Sequence, residues 1–329
     1  MSNFGIPGLS AQLERRLEDG VAAVEALLAA SIESEYPLLT QTSHHLVDAG
    51  GKRLRPLLTL LAAEFGNPNA PGVIASAVVS ELTHLATLYH DDVMDEAPLR
   101  RGVPSANARW GNTVAILAGD FLFAKSSALL ADLGPEAVKL QALTFERLVV
   151  GQIMETIGPR EGDELHAHYL KVVADKTGSL LSASAQYGAL AAGASQAVRS
   201  TLGEFGERIG VAFQIADDVI DIASDSGISG KTPGTDLREG VPTLVTLHVI
   251  TSDDPADAQL RELLLSPITD EIVVAEVLLK LRSHRAIEVA RTQLREYADG
   301  ARSVLGELED CEAKTALMAL CDAVIDRSA

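Results

Sequence analysis

His84 to Arg101 reads HLATLYHDDVMDEAPLRR. Asp91, Asp92 and Asp95 put three carboxylates within five residues, and Arg100 and Arg101 follow close behind. On a helix, positions i and i+4 share a face with their Cβ atoms about 5–6 Å apart. Asp91 and Asp95 therefore point the same way, one turn apart, with Asp92 to one side. Two anions so placed repel each other, by about a few tenths of a kcal/mol on an isolated helix. Oxygen donors without His or Cys suit a hard cation such as Mg²⁺, which takes one or two carboxylates and completes its shell with water and phosphate.

A second copy lies far downstream. Phe213 to Ile222 reads FQIADDVIDI, and Asp217, Asp218 and Asp221 repeat the i, i+1, i+4 spacing inside an apolar run. A single cluster of this kind reads as a solvated helix face. Two matched copies flanked by core-type residues point instead to a shared cation site. Both stretches have helical periodicity, and no segment shows a convincing strand period. The expected fold class is all-α.

The 329 residues are 47% hydrophobic, enough for a large core, and carry no Pro/Gly/Ser-rich linker or low-complexity tract. One domain over residues 1–329 is the simplest organisation. The formal net charge of −19 argues against nucleic acid and against adsorption to an anionic membrane. Cys311 and Cys321, ten residues apart on one helix, are separated by about 15 Å, too far for a disulfide. Reduced thiols suit a cytoplasmic protein. The start, MSNFGIPGLSAQLERR, lacks the basic segment and apolar region of a signal peptide. Charges or Gly break the apolar runs short of about 20 residues, so no spanning helix is expected.

Helical spacing predicts helices over Leu9–Ala30, Pro37–Ala49, Leu57–Phe65, Val73–Glu96, Thr113–Ala131, Glu136–Ile157, Asp163–Val173, Ser179–Gly193, Thr201–Ala223, Val241–Ile250, Ala256–Leu264, Thr269–Ala298 and Leu308–Asp326. Lys52, Arg53 and Arg55, in GGKRLRP, stand at a helix N-terminus. That end already carries free N–H groups and positive dipole, so extra cations there suit a bound anion. His84, seven residues before Asp91, reads alone as an ordinary core or surface residue. Gln152 and Glu155 are polar residues on a helix that otherwise reads as core. Lys176, Thr177 and Gly178 interrupt the helical pattern. Gln214 lies one turn before Asp218. The stretch Ala223–Gly240, ASDSGISGKTPGTDLREG, reads as a functional loop with Lys231 as its cation.

Taken in order, GGKRLRP, the His84–Glu96 motif, RRG, KTG, FQIADDVID and GKTPGTDLREG resemble the trans-isoprenyl diphosphate synthases, the polyprenyl synthetase family. The likeness spans about Gly50 to Thr243. It implies long helices around a deep central cavity, usually in a homodimer, and Mg²⁺ as cofactor, three ions with substrate bound. Asp91, Asp95 and Asp217 match metal ligands, and Asp92, Asp218 and Asp221 would complete the shells largely through water. Lys52, Arg55, His84 and Arg101 match positions that hold the diphosphate of isopentenyl diphosphate. Arg100, Lys176 and Lys231 match those that hold the allylic diphosphate. Thr177 and Gln214 match polar residues near the reacting carbon. In one departure, Val241 stands where the family often has Lys.

The activity so implied is Mg²⁺-dependent condensation of isopentenyl diphosphate with an allylic diphosphate. Small residues at Ala86 and Thr87, below Asp91, replace the aromatic that short-chain members often carry. They predict a hexaprenyl to decaprenyl product for a quinone side chain such as that of menaquinone, delivered at a membrane surface. Three alternatives compete with this activity. A terpene cyclase usually replaces the second Asp motif. A non-catalytic subunit of a heteromeric synthase should have lost carboxylates that all six positions retain. A di-iron bundle needs a Glu-x-x-His pair. A short-chain geranylgeranyl or farnesyl diphosphate synthase is the nearest alternative on product length.

Overall fold

The computed structural model describes Ile6, residues 9–223 and residues 233–327. The first helices are α1 (Ala11–Ser31), α2 (Pro37–Asp48), α3 (Leu54–Ala63) and α4 (Gly72–Met94). A two-residue hairpin, β1 (Leu99–Arg100) against β2 (Val103–Pro104), leads to α5 (Ala106–Trp110), α6 (Asn112–Leu133), α7 (Pro135–Ile157) and α8 (Leu165–Val173). A π turn, Ala174–Gly178, joins α8 to α9 (Ser179–Ala191), and α10 (Gln196–Ala223) follows. The chain ends with α11 (Thr235–Glu239), α12 (Leu244–Ile250), α13 (Ala258–Leu263), α14 (Glu271–Arg282), α15 (Arg285–Val304) and α16 (Glu312–Asp326). The all-α expectation holds.

Local chemistry explains where the elements differ from those expected. Arg101 and Gly102 have φ of 53° and 78°, the two left-handed positions of a tight two-residue hairpin, so the RRG loop forms a small ladder. The segment predicted as one helix over Thr269–Ala298 is two. Ser283 ends α14, and the His284 side chain accepts from the Ala286 N–H to start α15 while pairing with Asp257 at 2.9 Å. Ser195 accepts from the Val198 N–H, and α10 begins five residues earlier than periodicity suggests. The expected interruption at Lys176–Gly178 is a widened turn inside a continuous helical run, not a break. Part of the expected loop is helical as α11, and Lys231 lies outside the described residues.

The bundle closes tightly where small residues let backbones meet. A Cβ on Gly188 would stand 1.9 Å from the Thr59 carbonyl oxygen, so α9 lies directly on α3, and the Thr59 hydroxyl donates to the Ser184 carbonyl across that seam. This is the close packing expected of the Ala-, Gly- and Ser-rich helix. The largest apolar cluster runs from α1 and α3 through α9 and α10 to α16. A second joins α1, α2, α4 and α6, and a third lies at the lower end of α4, α6, α7 and α9. α4 and α6 are long and apolar enough by length and composition alone to cross a membrane. Most of α4 is buried in the bundle, and α6 packs along it.

Candidate active site

Asp91 and Asp95 close the C-terminal end of α4, where chain direction puts both on one face. Burial pushes the Asp91 carboxyl up to about 6; Lys176 opposes that shift and Asp95 adds to it. Asp95 is also raised, first by burial, with Lys176 lowering it and Glu155 raising it. Lys176, from the π turn, therefore lies beside this cluster, and its ammonium is paired with Glu155 of α7. Asp92 is turned inward and fully buried. One of its oxygens accepts from Arg100 Nε at 2.6 Å, and the other has no hydrogen-bond partner among the described residues.

A polar chain links the π turn to the second cluster. Thr177 Oγ1 donates to Gln214 Oε1 at 3.1 Å, and Gln214 Nε2 donates to Asp218 Oδ1 at 3.0 Å. The Tyr169 hydroxyl donates to the other oxygen of Asp218. Asp218 is buried and its carboxyl raised, chiefly by that burial, against the lowering effect of Tyr169 and Gln214. Both oxygens of Asp218, a residue expected in the metal shell, accept hydrogen bonds here, and one of them orients Gln214. Asp221 accepts from the backbone N–H groups of Thr235 and Asp236, at 3.3 Å each, and so holds the start of α11. Asp217 remains half-open, with Arg327 Nη2 at 2.7 Å. Glu239 on the exposed end of α11 is raised by partial desolvation and then by Asp95, with Asp221 adding to it, so it lies within electrostatic reach of both clusters.

The cations form a second group around Glu81 and His84. Arg53 adopts a left-handed conformation before α3 and donates to Glu81 at 2.9 Å and to the Val47 carbonyl at 3.1 Å. Arg101 donates to the Leu46 carbonyl at 2.7 Å and to the Gly50 carbonyl, tying the hairpin to the Gly50–Gly51 turn. The Arg55 guanidinium is lowered to about 10, mainly by burial, and its Nε has no partner among the described residues. His84 is held well below its usual range by burial first, then by Arg55, Arg101, Arg100 and Arg53, so it is neutral at pH 7. Lys52 Nζ lies 5.8 Å from the centre of the Phe213 ring, and Arg327 covers the same ring at 4.4 Å. The basic turn thus faces the helix that carries the second Asp cluster.

By donor type these residues suit a hard divalent cation, although among the described residues no three acidic side chains are gathered closely enough to hold an ion. Asp91, Asp95 and Asp217 supply carboxylate oxygens only, and the protein's own cations, Lys176 and Arg327, lie against them as counter-charges. Thr87 sits one turn below Asp91 with its hydroxyl back-bonded to the His84 carbonyl. Ala86 is fully buried at the α4–α6 seam. Sequence reasoning missed Arg327, Tyr169 and Glu239 as residues of the site. The first two reach it only through tertiary packing, whereas Glu239, within DLREG, lay in a segment already marked as functional.

The family model described as polyprenyl synthetase matches residues 36–281. A nonaprenyl diphosphate synthase of Mycobacterium tuberculosis is 48% identical over 309 residues, 94% of this chain and 92% of that protein. A crystal structure of a geranylgeranyl pyrophosphate synthase from Corynebacterium glutamicum, complexed with calcium and isoprenyl diphosphate, superposes with a TM-score of 0.86 at 44% identity, covering 97% of this chain and 98% of that one. A polyprenyl synthase from Caulobacter crescentus CB15, also with calcium and isoprenyl diphosphate, superposes with a TM-score of 0.90 at 31% identity, covering 98% and 99%.

Proposed function

The chain belongs to the polyprenyl synthetase family, and from that premise we propose that it condenses isopentenyl diphosphate with an allylic diphosphate into a medium- to long-chain all-trans polyprenyl diphosphate. What supports this reading is that Lys176 lies beside the first Asp cluster while its neighbour Thr177 is linked through Gln214 to Asp218 of the second. Mg²⁺ held by Asp91, Asp95 and Asp217 would supply positive charge to the departing pyrophosphate; three ions is the number inferred with substrate bound.

The remaining chemistry falls to the chain's own groups. The allylic C–O bond breaks with both electrons leaving on pyrophosphate, and Lys176 and Arg100 offset the developing charge. The double bond of isopentenyl diphosphate then attacks the allylic cation, and a proton leaves to pyrophosphate. Lys52, Arg55, Arg101 and neutral His84 would hold the diphosphate of isopentenyl diphosphate. Thr177 and Gln214 present oxygen dipoles to the cationic carbon. No protein nucleophile is required.

The product range rests on the small Ala86 and Thr87 and on the nonaprenyl relative. A homodimer is supported by a continuous apolar face on α6 and α7, where Leu117, Leu143, Ile153 and Ile157 stay more than half exposed. The test is product analysis after incubating the purified chain with Mg²⁺, isopentenyl diphosphate and farnesyl diphosphate. Products of thirty to fifty carbons are expected at roughly six to ten isoprene units; release of pyrophosphate without chain extension would overturn the assignment.

A further inference from the structure

The π turn Ala174–Gly178 carries Lys176 and Thr177, and a polar cluster outside the mouth grips it. Asp175, the residue between Ala174 and Lys176, points away from the site and is fully buried. Its Oδ1 accepts from Arg147 Nε of α7 at 3.0 Å, and its Oδ2 accepts from Lys171. The same guanidinium forks onto Glu207 of α10, with Nη1 donating to Oε2 at 2.8 Å and Nη2 to Oε1 at 3.0 Å. Arg147 therefore ties α7, the turn and α10 together.

Packing reinforces that tie. Arg147, Gly151 and Glu155 form one i, i+4, i+8 stripe on α7, and each touches the turn. A Cβ on Gly151 would stand 2.9 Å from Asp175 Cβ and 3.1 Å from Lys176 Cγ. Glu155 pairs with Lys176 itself. On the opposite side, a Cβ on Gly210 would meet Gly178 Cα at 2.7 Å, so α10 lies directly against the turn. The Arg147–Glu207 fork is over a third exposed, whereas the Asp175 carboxylate is 1% exposed. The buried bond to Asp175 is accordingly the stronger constraint, since an exposed pair is screened and a buried carboxylate needs its partners.

We propose that Arg147 is a positioning residue for the condensation: through Asp175 and Glu207 it holds the widened turn that presents Lys176 to the allylic diphosphate and Thr177 to the reacting carbon. π turns of this kind are frequent at functional sites, and they need neighbours to hold them because the turn is less favourable than α-helix. The inference rests on the assignment of Lys176 and Thr177 to the site.

Steady-state kinetics on Arg147→Met, Arg147→Lys, Asp175→Asn and Lys176→Ala test it, with each variant checked for folding by circular dichroism. Misplacing a group by about 1 Å can cost about 10²-fold, so Arg147→Met should lose about that much kcat with KM for isopentenyl diphosphate unchanged. Arg147→Lys should recover part of the loss. Arg147→Met and Asp175→Asn should be non-additive in kcat, as expected for two residues acting through one contact. A lower melting temperature with kcat within about twofold, against the loss a displaced group causes, would show a purely structural cluster and overturn the proposal. If Lys176→Ala is inactive while Arg147→Met is active, the positioning role alone fails. Full activity in Lys176→Ala would overturn the site assignment and this role with it.

Discussion

At the scale of single residues, the two Asp clusters do different work at each position. Asp91 and Asp95 share one face at the end of α4 and Asp217 is paired with Arg327, whereas Asp218 is bonded through both oxygens and Asp92 is buried against Arg100. Asp91→Ala and Asp217→Ala should each lower turnover by at least about 10²-fold, because charge stabilisation of the leaving group is the main catalytic term. Both should stay folded, since each removes a member of a like-charge cluster; normal turnover in either, by radiolabelled incorporation, would contradict the metal role. Arg327 pairs with Asp217 at 2.7 Å. The pair is about a quarter exposed on each side, and such pairs contribute about 0.2–1 kcal/mol. Arg327→Ala should therefore lower the Mg²⁺ concentration for half-maximal activity by at most about fivefold, read from a metal titration. Among these residues the carboxylates were legible in the chain because their spacing is local. Arg327 was not, because 110 positions separate it from Asp217 and only packing brings them together.

At the scale of elements, helix existence and order were legible because apolar periodicity survives along each segment. The sites of disagreement have identifiable causes. Ser283 and His284 divide one periodic stretch with a side-chain cap, which leaves the apolar pattern nearly unbroken. The sequence KTG looks like an interruption, but its neighbours Asp175 and Ser179 are buried and the helix continues through it. The α4–α6 seam leads to a prediction about product length. Ala86 is sealed there, and a Cβ on Gly119 would come within 3.1 Å of its carbonyl oxygen. An aromatic ring at position 86 has no room in the seam, and on the proposed reading it turns toward the Thr87 face, where the growing tail is expected to run. Ala86→Phe should shorten the product toward fifteen or twenty carbons, about three or four isoprene units, and destabilise the fold by about 1–3 kcal/mol through overpacking. Chromatography of the dephosphorylated products and urea unfolding would read the two effects; an unchanged product length would remove Ala86 from the tail's path.

At the scale of the whole molecule, the site is built where α4, α7, the π turn and α10 converge, and the apolar face of α6 and α7 looks outward beside it. Burial of that face by a second copy predicts that Ile153→Asp, at a position 52% exposed in the single chain, shifts the protein toward monomer in sedimentation equilibrium. A wild-type chain that sediments as a monomer would rule out this interface. The net charge of −19 coexists with a local concentration of Lys52, Arg53, Arg55, Arg100 and Arg101, of which Arg53 and Arg100 are paired with Glu81 and Asp92. The widened turn carries a consequence for how the chain can vary. Relative to an α-helix it contains one surplus residue, so α8 and α9 keep their own docking faces while the surplus is absorbed between them. A chain lacking that residue could still lay both helices in place, now with an unbroken ladder of i to i+4 bonds. Its bundle would be intact, but Lys176 and Thr177 would no longer be turned out of the helical register toward the mouth. The extra residue thus bears on where Lys176 and Thr177 point and not on whether the two helices dock.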